Sequence, residues 1–300
     1  MSRAVFDHVE IANRPRRAPR RPAELKLAGG RTIRFPAVMG ILNVTPDSFR
    51  DGGRYLDAER AVAHGSEMAA EGADIIDVGG ESTRPGAHPV ETEEELRRVV
   101  PVIERLARRL TVPISIDTRK AAVARAALDA GAAIVNDVSA LSFDPAMAAV
   151  VAKARAAVVL MHMRGVPETM AEMAAYRNVV AEVCRYLRQR VRVALAAGIQ
   201  ASRLIVDPGF GFAKRGEHNL ALMRGLPRVA ALGYPVLVGF SGKALRLGLK
   251  DATARERTAR IAAAEVTAVM LGAAILRVHE PGPTAAALKV AASMAAAVRK

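Results

Sequence analysis

From residue 37 onward the chain repeats one pattern eight times: a short, almost wholly apolar run, then a longer amphipathic one. The short runs are Ala37–Asn43, Asp74–Gly79, Pro113–Asp117, Ala133–Asp137, Ala157–His162, Arg203–Asp207, Pro235–Phe240 and Ala274–His279. Helical spacing is read near 57–71, 92–110, 119–130, 145–154, 176–198, 217–232 and 251–272, with a last stretch at 283–298. Strands apolar on both faces must be covered on both sides, which suits a buried parallel sheet. Eight such units in about 260 residues predict an α/β fold, a single (β/α)8 TIM barrel. Ala23–Pro36 reads as a short N-terminal β-hairpin with Gly29-Gly30 at its turn, placed to plug the barrel floor. A doubly wound open sheet is the alternative, but it normally carries a glycine fingerprint after its first strand. This chain has Asn43-Val44-Thr45-Pro46 there.

Residues 23–300 are therefore expected to form the barrel, and residues 1–22 a flexible basic arm. The first 34 residues hold nine Lys or Arg against three acidic residues, within a chain of net charge +14. Such a surface attracts anions, either nucleic acid or small phosphorylated molecules. With aromatics at 4% and no nucleic-acid motif, specific nucleic-acid binding is not expected. The lone cysteine, Cys184, excludes an internal disulfide and a cysteine-based metal cluster, and it fits a reducing cytoplasm. No apolar run approaches the roughly 18–20 residues of a membrane span, and no export signal is expected.

Position carries the functional reading. Nearly every predicted strand stops on a polar residue: Asn43, Glu81 just beyond Gly79-Gly80, Asp117, Asn136-Asp137, His162, Asp207, Ser241, and Arg277 with His279. In a barrel of this kind, the C-terminal strand ends line one shared mouth, where active sites sit. One Asn or Asp at a strand end is more often a helix cap; eight in remote stretches of sequence make capping alone a poor account. Asp117, Asn136 and Asp207 supply donors and acceptors for a flat nitrogenous ring whose edge presents adjacent N–H groups. Arg277 and His279 fall on one face of a strand and suit phosphate oxygens. Arg277 is equally readable as a partner for Asp77 or Glu81. Asn43 offers the neutral oxygen that Mg2+ accepts beside substrate phosphates.

Two weaker patterns point nowhere. Gly239–Ala244 resembles a phosphate loop, but Leu237 and Ala244 break the required spacing. Met161-His162-Met163 lacks a second ligand at metal spacing, so the methionines read as packing or ring contact.

Two long runs resemble the first and second signatures of dihydropteroate synthases: Met39–Phe49 (MGILNVTPDSF) and Gly72–Gly86 (GADIIDVGGESTRPG). Ser115–Thr118, Asn136–Val138, Leu160–Arg164, Asp207–Phe212 and Arg277–His279 look like that family's later blocks, in order, so the likeness spans about residues 24–295. The resemblance implies an eight-stranded barrel, usually a homodimer. It implies joining 6-hydroxymethyl-7,8-dihydropterin diphosphate to 4-aminobenzoate, with release of pyrophosphate, in folate biosynthesis. It further implies that Asp117, Asn136, Asp207 and Lys243 hold the pterin between Met161 and Phe212, and that Asn43, Arg277 and His279 hold the Mg2+-diphosphate. Thr83, Arg84 and Pro85 would belong to a loop over the aminobenzoate. The family usually reads Ser-Arg-Lys-Ser after its seventh strand, where this chain has Ser241-Gly242-Lys243-Ala244, and Arg50 replaces a usual Ser. Ser241 and a helix start near Lys243 remain as anion donors there. The departures gather at the second substrate and leave open a paralogue that binds the pterin diphosphate but uses another arylamine or has little synthase activity.

Overall fold

The computed structural model describes residues 22–45, 54–82, 86, 88–166, 169–170, 172–239 and 252–297. A hairpin of β1 (Glu24–Lys26) and β2 (Thr32–Arg34), joined by a 3-10 turn at Ala28–Gly30, precedes the barrel. The barrel strands are β3 (Ala37–Asn43), β4 (Ile75–Gly79), β5 (Ile114–Asp117), β6 (Ile134–Asp137), β7 (Ala157–Met161), β8 (Leu204–Asp207), β9 (Leu237–Val238) and β10 (Ile275–Val278). The helices are α1 (Arg54–Ala70), α2 (Thr92–Arg109), α3 (Ala121–Asp129), α4 (Met147–Ala154), α5 (Val179–Ala196), α6 (Gly216–Ala230), α7 (Ala254–Leu271) and α8 (Pro281–Ala297). All strand pairings in the eight-stranded sheet are parallel, in the order β8-β7-β6-β5-β4-β3-β10-β9. Among the described residues a parallel bridge, Val206 to Val236, joins the two ends. The expected (β/α)8 barrel is what the chain forms.

Period-two alternation along each strand divides the core in two. One set of side chains, including Val38, Leu42, Ile76, Val78, Val135 and Val206, packs outward against the helices. The other set fills the barrel: Met39, Ile75, Ile134, Val159, Ile205, Leu237 and Ile275. Leu25, Leu27 and Ile33 of the hairpin belong to this inner cluster, so the hairpin does seal the floor.

Local chemistry moved several boundaries inward from their sequence-based positions. Helix α5 starts at 179 because the Asn178 side chain accepts from Ala181 N–H, and α7 starts at 254 because Thr253 and Glu256 form a capping box. Of the expected strand 235–240, Leu237–Val238 form β9, and Phe240 lies outside the described residues. Pro235 has no N–H to donate, and Gly239 lies where an added Cβ would come within 3.2 Å of Arg277 Cβ.

Candidate active site at the barrel mouth

The residues that fill the barrel follow each strand upward in steps of two. From the apolar layer, Ile75 leads to Asp77, Ile134 to Asn136, Val159 to Met161, Ile205 to Asp207 and Ile275 to Arg277, and on β5 the buried Ser115 leads to Asp117. Parallel register sets Asn43 beside Gly79, Gly79 beside Asp117, Asp117 beside Asn136, and Met161 beside Asp207. A polar ring thus caps an apolar plug. Asp77, Asp117, Asn136 and Asp207 are all buried.

Arg277 organises one side of the ring. Its Nε donates to Asp77 Oδ2 at 2.7 Å and its Nη2 to Asp117 Oδ2 at 2.7 Å, while Asn136 Nδ2 donates to the same Asp77 oxygen at 3.0 Å. The other Asp77 oxygen, Oδ1, is buried and has no hydrogen-bond partner, and neither has Ser115 Oγ. Burial pushes Asp117 up to about 7, against the opposing charge of Arg277 and with Asp77 adding in the same direction. Burial likewise pushes Asp207 up to about 7, opposed by the Gly209 N–H and Lys214. For Arg277, burial works against the charge, but Asp77 and Asp117 outweigh it and hold the guanidinium above its ordinary value. The ring therefore contains one fixed cation, while burial favours the neutral forms of Asp117 and Asp207.

The other side is built by the loop after β8. Asp207 Oδ1 accepts from Gly209 N–H at 2.6 Å, and Gly211 N–H donates to Asn219 Oδ1 of α6 at 3.0 Å. Gly209 has φ +68°, and a Cβ there would stand 2.1 Å from the His162 carbonyl oxygen, so only glycine fits. Phe212 and Ala213 pack with Met161, Met163, Met170 and Val138 in a small apolar cluster under the mouth. Lys214 turns back beneath it. Its ammonium lies 3.0 Å from His162 Nδ1 and donates to the carbonyls of Gly209 and Phe212, each at 2.8 Å, and of His162 at 3.2 Å. Burial lowers His162 to about 3, with Lys214 adding to the effect, so this imidazole is neutral and accepts at Nδ1.

The sequence of residues 39–279 matches the model of the pterin binding enzyme family. The dihydropteroate synthase of Mycobacterium leprae is 50% identical over 260 residues, covering 84% of this chain and 91% of that one. That of Escherichia coli is 46% identical over 258 residues, covering 86% and 91%. The chain belongs to the dihydropteroate synthase family. Among solved structures, Xanthomonas albilineans dihydropteroate synthase with 4-aminobenzoic acid superposes with a TM-score of 0.84 at 48% identity, over 91% of this chain and 98% of that one. The same enzyme in complex with 7,8-dihydropteroate gives 0.80 at 46% identity, over 91% and 99%.

Set on this family's barrel, the sequence-predicted residues fall into three groups. Asp117, Asn136, Met161, Asp207 and Arg277 meet at the mouth. Asn43 ends β3, half-buried, and Phe212 is half-buried in the loop after β8; His279 is exposed one residue beyond β10. Thr83, Arg84, Pro85, Ser241 and Lys243, with Arg50, Gly242 and Ala244, lie outside the described residues. Three polar strand ends turn away from the ring. Glu81 pairs with Arg119 at 2.9 Å and with Lys120, Asp137 accepts from Ser139 and Leu141 N–H, and His162 faces Lys214. Asp77 was read from sequence only as a possible partner for Arg277, although its step of two above Ile75 points it into the barrel. Lys214 carried no signal, because its role depends on a loop folding back seven residues after Asp207.

Proposed function

We propose that this chain condenses 6-hydroxymethyl-7,8-dihydropterin diphosphate with 4-aminobenzoate, giving 7,8-dihydropteroate and pyrophosphate. The observation that carries the reading is the ring of Asp77, Asp117, Asn136 and Asp207 around Arg277, at the mouth of a dihydropteroate synthase barrel. A pterin's amino-pyrimidinone edge presents N–H donors to these carboxylates, while Met161 and Phe212 flank its faces. Arg277 reaches Asp77 and Asp117 through only part of its donor fork, which leaves N–H groups for the diphosphate. His279, two residues on, is assigned to that side, Lys243 to the pterin, and Thr83, Arg84, Pro85 and Ser241 to the aminobenzoate.

Mg2+ fits this donor set in one manner. Among the described residues no group of three His, Cys, Asp or Glu is placed to hold a metal. Mg2+ that arrives with the diphosphate keeps waters and phosphate oxygens and needs few protein ligands, of which the Asn43 amide oxygen is the candidate. When bound, it would neutralise charge on the leaving group. The protein's own work is positional. The C–O bond to diphosphate breaks with its electron pair, the ring-bound carbon is stabilised by the electron-rich pterin, and the arylamine nitrogen forms the new C–N bond and gives up a proton. An aromatic amine needs no strong base, so orientation and charge neutralisation suffice.

The exposed Met270 on α7 and Val290 and Met294 on α8 support a homodimer through that face. A single, buried Cys184 suits a reducing cytoplasm, and no helix among the described residues is long and apolar enough to cross a membrane. Supplying the pterin diphosphate, Mg2+ and 4-aminobenzoate should release pyrophosphate and dihydropteroate in equal amounts. Tight pterin binding without product at millimolar 4-aminobenzoate would instead favour the paralogue reading that Gly242 and Ala244 raise.

A further inference from the structure

The proposed reaction leaves the buried Lys214 without a task. Lys214 is only 8% exposed, and its surroundings form a cage of acceptors: one imidazole nitrogen and three carbonyl oxygens. An ammonium has three protons to offer and no lone pair, so the cage is matched to the charged form. A neutral amine would set its own lone pair against at least one of these acceptors. Burying a charge is costly, and a lysine that merely filled space here would be replaced profitably by an apolar side chain. The acceptors also come from two different elements. The His162 atoms lie just past the end of β7, and the Gly209 and Phe212 carbonyls lie in the loop after β8.

We propose that Lys214 is a positioning residue for the pterin half of the site, latching the loop after β8 to the end of β7 and so fixing where Asp207 and Phe212 stand. Several strands of geometry converge on it. Gly209 is pressed onto the His162 carbonyl so closely that no side chain fits, and the His162 N–H donates to the Asp207 carbonyl at 2.9 Å. Ala213, beside Lys214, is held at φ +51°, a conformation that side-chain-bearing residues avoid unless their surroundings enforce it. His162 contributes an acceptor only as the tautomer protonated at Nε2, and Tyr186 supports the ring edge-on at 4.9 Å. The proposal rests on the pterin-site reading above, but it does not depend on which arylamine is used.

The test compares Lys214→Met, which keeps length and volume, with His162→Phe, which keeps the ring and its Tyr186 contact but removes Nδ1. The dissociation constant of the pterin diphosphate is measured by calorimetry, and KM is measured for both substrates. Each variant should bind the pterin diphosphate about tenfold or more weakly, with the 4-aminobenzoate KM changed less than about threefold. The double variant should be little worse than the poorer single one, because both lose the same contact. Wild-type pterin affinity in a folded Lys214→Met, or an equal rise in both KM values, would overturn the proposal. If that variant fails to fold, His162→Phe decides alone, and wild-type pterin affinity in it overturns the proposal. A wild-type chain that binds the pterin but makes no dihydropteroate fails the proposed reaction alone. One that binds no pterin overturns both.

Discussion

At the scale of single residues, the pterin pocket holds a proton balance set against its ligand. Asp117 and Asp207 are pushed up to about 7 from an ordinary 3.8, chiefly by burial, whereas a ligand edge made of N–H donors is accepted best by the ionised form. Binding should therefore expel protons near neutrality, and affinity should rise between about pH 6 and about pH 8. Calorimetry in buffers of different ionisation heat checks this, and net proton uptake would contradict it. In the free protein the sign is opposite. The folded pKa lies above the unfolded value, so the stabilisation from these carboxyls is complete below 3.8 and is lost as pH climbs toward 7. Asp207→Asn keeps the shape of the group but turns a donor toward the ligand. It should weaken pterin binding by roughly 10- to 150-fold, the worth of a charge-assisted hydrogen bond. Ala213→Gly relieves the left-handed backbone at φ +51° and should raise stability by about 1 kcal/mol, read as a higher melting temperature.

At the scale of elements, α7 and α8 are joined through a carboxyl. Glu265 of α7 is buried and accepts from Thr284 Oγ1 of α8 at 2.8 Å, and burial pushes it up to about 7 from 4.5, with Glu280 assisting. Its contribution to stability is complete below 4.5 and lost as pH rises through about 7. Glu265→Gln keeps the bond to Thr284 without the titration. The gap between its thermal midpoint and that of the wild type should change in its favour across that window, and parallel curves would rule the effect out. Element existence was legible in the sequence because buried parallel strands are apolar runs, and the hairpin because Gly29-Gly30 lies between short strands at Glu24–Lys26 and Thr32–Arg34. Element ends were less legible, since the Asn178 cap and the Thr253–Glu256 box act over single residues inside longer helical patterns. The site was legible where period two continues from an apolar layer into a polar one, as from Ile205 to Asp207. It was misread where a polar strand end faces outward: Glu81, Asp137 and His162 serve the frame, which only the three-dimensional pairing with Lys120, Ser139 and Lys214 reveals.

At the scale of the whole molecule, the surfaces of α7 and α8 leave Met270, Val290 and Met294 at 78%, 61% and 67% exposure. Sedimentation should show two copies together, and Met270→Glu with Met294→Glu should give single copies; a wild-type chain sedimenting alone would remove the dimer. The barrel's closure has a different consequence. Adjacent pairs such as β3 and β4 are laced along five register positions, whereas β8 meets β9 at the single Val206–Val236 bridge. A hoop yields where it is fastened least. The cup at its rim therefore has a stiff half, braced by Arg277 between β4 and β5, and a more compliant sector at the short strand β9. Ring systems with added bulk should be tolerated when that bulk points toward β9, and refused when it points toward Asp77. The same molecule can be strict about one edge of its guest and lenient about the other.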